Sequence, residues 1–396
     1  MTSNICLFPG EIFAHKDSSN NLGVHLPDDQ INEKYRKGEI RIVTEQARYP
    51  LNTIVTMLES KKYILNPEYQ RRKRWDNARK SRLIESFIIN VPVPPIFLYE
   101  IDYSIYEVMD GLQRLTAIYD FYEGKFQLEG LEYWKELEEK SYKDLPETVR
   151  AGIDRRHLSS IILLEETAKS QEEANSLKQI VFERLNSGGE KLTAQETRNA
   201  LYNGKFNQLC IKLAKNDSFR KMWKLPLEGD GEKKLLESEP YRKMEDVELV
   251  LRFFAYRQIS QLTSPIDKFL DEYLKQANEF SEETLVELEK LFIDTVELIY
   301  EIFKNSAFFL PTKERQSRSP SKTVYDPIMQ AFAMNIEYRD NLLKKAQLIK
   351  GNRYKTIEQA TTSNQEKKLF DGRNNNKIQV KLRIEYFSEF LKDYVL

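Results

Sequence analysis

Asp110-Gly111-Leu112-Gln113-Arg114 brings a carboxylate, a glycine, an amide and a guanidinium together in one short run. Tyr106-Glu107-Val108-Met109 before it reads as a strand. Leu115, Ile118, Tyr119 and Tyr122 after it recur at helical spacing, with Gly124 as the stop. The start of a helix offers unpaired N–H groups and a partial positive charge, which suit an anion. Gly111 lets the backbone turn sharply and approach a ligand closely. Arg114 can fork onto phosphate oxygens, and Gln113 can hold a water or a phosphate oxygen. Asp110 repels phosphate directly and fits better as a magnesium ligand or a base. The same residues also fit an ordinary strand-to-helix turn with Asp110 as the cap and Arg114 in solvent.

Two further runs could join such a site. Pro67-Glu68-Tyr69-Gln70-Arg71-Arg72-Lys73-Arg74-Trp75 sets four basic residues between two aromatics, and Arg79, Lys80 and Arg82 continue the charge. Arg72, Lys73, Arg74 and Arg79 are candidates to grip a nucleic-acid backbone while an aromatic stacks on a base. The alternative is a solvated basic face with Trp75 packed inward. Phe182 to Leu192 contains Asn186-Ser187-Gly188-Gly189, a turn whose N–H groups could nest an anion or simply end a helix.

Around these runs the pattern predicts a helix from Leu51, Ile54, Val55 and Leu58. A second, carrying Leu83, Ile84, Phe87 and Ile88, stops at Val91-Pro92-Val93-Pro94-Pro95. Ile96 to Tyr99 and Ser160 to Leu164 read as strands, residues 171 to 184 as a helix, and Thr193-Ala194-Gln195-Glu196 as a capping box. Beyond residue 204 the chain reads as helical, including one long acidic helix with Leu285, Leu288, Phe292, Val296 and Ile299 on a face. Residues 313–322 read as a flexible loop. The expected fold class is α+β. Residues 1–44 form a lead-in, 45–203 a small mixed-sheet domain, and 204–396 a helical domain.

Bulk composition narrows the chemistry. With 61 basic and 62 acidic residues the net charge is -1, so a contact with nucleic acid must come from a local patch. Cys6 and Cys210 make no framework, which suits a reducing cytosol. His15, His25 and His157 lack zinc-ligand spacing. No apolar run is long enough to span a membrane, the first residues do not read as a signal peptide, and no Gly-Lys-Ser/Thr follows a glycine at phosphate-loop spacing. A cytoplasmic location is expected.

Taken in order, Pro-x-Tyr-Gln-Arg, the Leu83-Ile84-Glu85-Ser86 helix leading to Pro92-Val93-Pro94-Pro95, Asp110-Gly111-Leu112-Gln113-Arg114-Leu115-Thr116 and Arg184-Leu185-Asn186-Ser187-Gly188-Gly189 resemble the N-terminal domain of GmrSD-type restriction and phage-defence proteins. That domain belongs to the ParB/sulfiredoxin-like superfamily. Tyr241 to Phe254 resembles the helical segment that follows it, so the likeness covers most of residues 45–275. The resemblance implies nucleoside triphosphate binding and hydrolysis coupled to restriction of DNA. Asp110, Gln113 and Arg114 are then catalytic, with Asp110 on magnesium. Gln70, Arg71, Gly111, Arg114, Asn186 and Gly188 then bind nucleotide. Leu112 stands where the family's signature has glutamine, and no histidine follows His157 to build the His-Asn-His nuclease domain of two-part members. A partner nuclease or self-association through the helical domain is therefore expected. The rival readings are a nucleic-acid-binding module without hydrolysis and a stand-alone DNA nickase.

Overall fold

The computed structural model describes residues 6–14, 26–37, 42–65, 72, 75–164, 171–185, 192–262, 265–310, 319–353, 369–370 and 377–395. The chain divides into two compact units, Ser19–Leu192 and a helical unit made of Met1–Ser18 with Thr193–Leu396. This α+β division matches the class read from sequence, but the cut falls after Leu192 rather than near residue 203.

The smaller unit opens with helix α1 (Asp28–Lys37) and strand β1 (Thr44–Pro50). Helix α2 (Ile54–Glu59) and the short β2 (Tyr63–Ile64) follow, then α3 (Asn77–Ile89), β3 (Ile96–Asp102), β4 (Ile105–Asp110) and α4 (Leu112–Tyr122). Helix α5 (Glu147–Asp154), strand β5 (His157–Leu164) and helix α6 (Gln171–Leu185) complete it. The sheet runs β1-β5-β3-β4-β2. Hairpin neighbours β3 and β4 are antiparallel, while β3 with β5 and β2 with β4 are parallel. The apolar β5 sits inside the sheet, whereas β1, with Thr44, Glu45, Gln46 and Arg48 exposed, takes an edge. Ile96, Leu98, Leu158 and Ile162 point to one face and meet Ile54, Ile84, Phe87, Leu115 and Ile118 in a single core. Helix α6 lies on the opposite face, where Lys178 binds Glu107 of β4 and lies 5.4 Å from the Tyr99 ring centre.

Asp76 caps α3 by accepting from the Arg79 N–H at 2.7 Å. The helix ends at Asn90, whose φ of 61° is left-handed, before the prolines arrive. From its buried middle, Glu85 takes the N–H groups of Tyr133 at 2.7 Å, Trp134 at 2.9 Å and Glu132 at 3.1 Å. One carboxylate thus ties the long 123–146 connection to the helix.

In the helical unit, α7 (Ala194–Leu201) starts at the expected box: Thr193 accepts from the Glu196 N–H and Glu196 accepts from the Thr193 N–H at 2.6 Å. Helices α8 (Lys205–Leu213), α9 (Asp217–Trp223), α10 (Glu232–Glu237), α11 (Glu239–Arg242), α12 (Glu245–Tyr256) and α13 (Ile266–Ala277) follow. After them come α14 (Glu282–Phe303), α15 (Lys322–Met334), α16 (Arg339–Lys344) and α17 (Lys377–Val395). Leu288, Phe292, Val296 and Ile299 of α14 are fully buried. Lys322, expected in a loop, opens α15, and residues 313–318 lie outside the described residues. Residues 1–44 are not one irregular lead-in: 6–14 belong to this helical unit, and 28–37 are helical. Among the described residues no helix is long and apolar enough to cross a membrane.

Glu85→Ala should cost about 2–4 kcal/mol, because three N–H groups lose a charged acceptor. Burial alone would raise the Glu85 pKa, but the three N–H donors outweigh it and hold it below its ordinary 4.5. The stability it contributes is therefore full above that ordinary value and lost as pH falls through the lowered one. Denaturant melts of the two proteins should differ most near neutrality and converge in acid.

Candidate functional site

The sheet delivers Asp110 directly opposite Phe97, and the chain turns into α4 at the next residue. Gly111 makes that turn with φ 94° and ψ 7° and is the helix cap, so Asp110 does not cap α4 as an ordinary turn would have it. A side chain cannot stand there for a second reason. A Cβ on Gly111 would lie 2.3 Å from Cγ2 of Ile96 and 3.1 Å from Nη2 of Arg114. Among the described residues no side chain caps α4, and the first-turn N–H groups of Leu112, Gln113 and Arg114 have no carbonyl of their own helix to bind.

Arg114 folds back over this turn. Its Nη2 donates to Asp110 Oδ2 at 2.7 Å and to the Pro95 carbonyl at 3.2 Å, and its side chain is 16% exposed against 49% for Asp110. Its Nε is buried and has no hydrogen-bond partner among the described residues. Gln113 is divided: Oε1 accepts from the Trp75 backbone N–H at 3.1 Å, whereas Nε2 is buried with no partner among the described residues. The Arg79 guanidinium lies 4.9 Å from the Trp75 ring centre and is exposed. The junction therefore assembles a half-exposed carboxylate, a clamped guanidinium, an amide with donors to spare and the open end of a helix.

The structure places the remaining candidates unevenly. Leu112, at the family's glutamine position, is 6% exposed, so that position is packed rather than presented to solvent. Arg72 is corrected from a candidate DNA contact to a fully buried residue; a guanidinium enclosed in protein cannot grip a solvent-side backbone. Lys80 is likewise committed inside the domain, 2.7 Å from Asp120 Oδ2 and 5.3 Å from the Phe126 ring centre. Gln70, Arg71, Lys73, Arg74, Asn186 and Gly188 lie outside the described residues. Sequence reasoning missed the Pro95 carbonyl and Ile96 as parts of the turn. The Pro94-Pro95 pair was the available signal, since it fixes an extended backbone ahead of β3.

A small mixed-sheet α+β domain with this strand, Asp-Gly turn and Arg-bearing helix defines the class of the first unit. Residues 52–203 match the family described as GmrSD restriction endonuclease, N-terminal domain, and this segment is a domain of that type. No curated protein and no solved structure matches the chain.

Gly111→Ala should destabilise the protein by at least about 2 kcal/mol, since the methyl meets both a left-handed φ and the Ile96 side chain. Urea melts should show the loss, and replacing Ile96 with Val in the same chain should recover little of it because the backbone strain persists.

Proposed function

We propose that the β4–α4 junction binds a nucleoside triphosphate and hydrolyses it, as part of a restriction or anti-phage system acting with DNA or a partner protein. The observation that carries this reading is the Arg114 guanidinium held at the uncapped start of α4 by Asp110 and the Pro95 carbonyl. An anion entering there meets first-turn N–H groups, the helix dipole and a pre-positioned guanidinium at once. Preorganised charge of that kind stabilises phosphoryl transfer without reorganisation during the step. Gln113 Nε2, buried and without a partner among the described residues, is the donor for a phosphate oxygen or for the attacking water.

Magnesium commonly uses one or two carboxylates together with substrate phosphates and keeps several waters. A single half-exposed Asp110 fits that demand, and the metal would supply charge neutralisation on the phosphates. Gln70, Arg71, Asn186 and Gly188 complete the proposed nucleotide contacts. Lys73, Arg74 and the exposed Arg79 remain the proposed DNA contacts, with Arg72 removed from that set. The matched family's name joins this site to restriction, which is what favours DNA over another partner.

Phosphate release measured across the four NTPs, with and without magnesium and DNA, tests the reading. Turnover is expected for at least one nucleotide. Asp110→Asn should lower it at least about 100-fold, and Arg114→Lys should weaken nucleotide binding about 10-fold or more while preserving the fold. Unchanged turnover in both variants would overturn the site. DNA affinity that falls steeply with salt, in a chain that binds no nucleotide, would favour the binding-module reading instead.

A further inference from the structure

In the helical unit, residues 6–14 form a bent segment held against the helices in an unusual way. Its main-chain bonds among the described residues are local turns, Glu11 N–H to the Phe8 carbonyl and Ile12 N–H to the Gly10 carbonyl. Within the segment the Phe8 N–H also donates to Glu11 Oε2 at 3.0 Å, and its further polar ties come from side chains of the helical unit. Gln258 at the end of α12 accepts from the Phe13 N–H at 3.1 Å and donates to the Glu11 carbonyl at 3.2 Å. Gln276 of α13 accepts from the Ala14 N–H at 3.1 Å and donates to the Ala14 carbonyl at 3.0 Å. Thr284 donates to the Pro9 carbonyl at 2.8 Å. Two carboxamides that read both polar groups of a passing backbone act as a pair of main-chain clamps, which fix position whatever side chains the segment carries.

Selectivity comes from two inward residues. Glu11 is fully buried, and Arg257 grips both its oxygens, Nε to Oε1 at 2.6 Å and Nη2 to Oε2 at 2.8 Å. Phe13, 3% exposed, sits edge-on to Phe269 with ring centres 5.4 Å apart and 5.9 Å from that of Tyr273. Between them Ile12 is 72% exposed and after them Ala14 is exposed, so from Glu11 to Ala14 alternate positions face away. Gly10, with φ 81° and a Cβ position 2.9 Å from Thr284 Oγ1, sets the bend that brings Glu11 inward. The fit is not closed throughout: a cavity of about 370 Å³, lined by Cys6, Phe8, Arg257, Leu291, Met334 and Ser388, opens under the segment. Main-chain capture plus an acidic pocket and an aromatic pocket is the physics of peptide recognition.

We propose that the helical unit carries a recognition site for a peptide that turns at a glycine and carries glutamate two residues before phenylalanine. Residues 6–14 occupy it as an exchangeable ligand, which the same segment of a second copy of this chain can equally supply. Held in the same chain, the segment enjoys a high effective concentration and keeps the site filled.

The test uses the full chain with a protease site inserted between residues 16 and 20, cut after folding. A fluorescent peptide of residues 6–14 should enter the cut protein saturably at one per chain, and bind the uncut protein at least about 10-fold more weakly. Peptides carrying Glu11→Gln or Phe13→Ala should each lose at least about 10-fold in affinity, with no change made to the protein. Arg257→Lys in the protein should narrow the gap between the parent peptide and the one carrying Glu11→Gln. A cut protein that unfolds, or one that stays folded and takes up no peptide, would overturn the proposal and make the segment a fixed part of the core. Equal uptake of all three peptides would do the same for the recognition claim.

Discussion

Everything at the candidate site hangs on how closely Gly111 approaches Ile96. Ile96 is fully buried at the start of β3, where Pro95 has just ended an extended stretch, and it belongs to the core that Leu115 and Ile118 of α4 enter from above. With no Cβ at Gly111, β4 can hand the chain to α4 directly over that isoleucine. The first turn of the helix then falls beside the Pro95 carbonyl, which Arg114 uses as its second anchor. A bulkier residue would push the helix start outward, separating Arg114 from that carbonyl and widening the distance to Asp110. Close packing of one aliphatic side chain is therefore what converts a local sequence motif into a fixed arrangement of charges.

The parts of this that were legible in the sequence are those with a strong local signal. Leu83, Ile84 and Phe87, or Leu288, Phe292 and Val296, repeat at the helical period and are buried as expected. The Thr193 box is legible because its two partners are three residues apart. Strand β1 was not, since Thr44-Glu45-Gln46-Ala47-Arg48 is polar on both faces and is a strand only because β5 offers it a full antiparallel register. Strand β2 is too short to carry a pattern, and its pairing with β4 is set by tertiary contact. Arg72 shows a harder limit. Within a run of four cations composition cannot say which turns inward.

Buried charge in the helical unit is paired across helices. Arg198 is 1% exposed yet reaches Asp271 at 2.7 Å, Asp267 at 3.1 Å and Glu248 at 3.5 Å, tying α7 to α12 and α13. Arg252 meets Asp326 through two bonds, at 3.2 and 2.5 Å, between α12 and α15. Taking such ions out of water costs several kcal/mol each, which their attraction returns only with good geometry. A buried guanidinium paired in this way couples the helices that carry its carboxylates. That reasoning explains why the unit begins at Thr193 rather than at the loop near residue 203, because Arg198 commits the whole of α7 to it.

The same logic bears on how the two units are joined along the chain. The last described residue of the helical unit's first segment is Ala14, whose N–H and carbonyl are both held by Gln276, and its second segment begins at Thr193, whose hydroxyl donates to the Lys243 carbonyl at 3.1 Å. Residues 19–192 are thus an insertion between two segments of the helical unit. Closing so long a loop costs little more than closing a short one, since each doubling of length adds only about 0.6 kcal/mol. The Arg257–Glu11 pair and the two glutamine clamps can offset that cost locally.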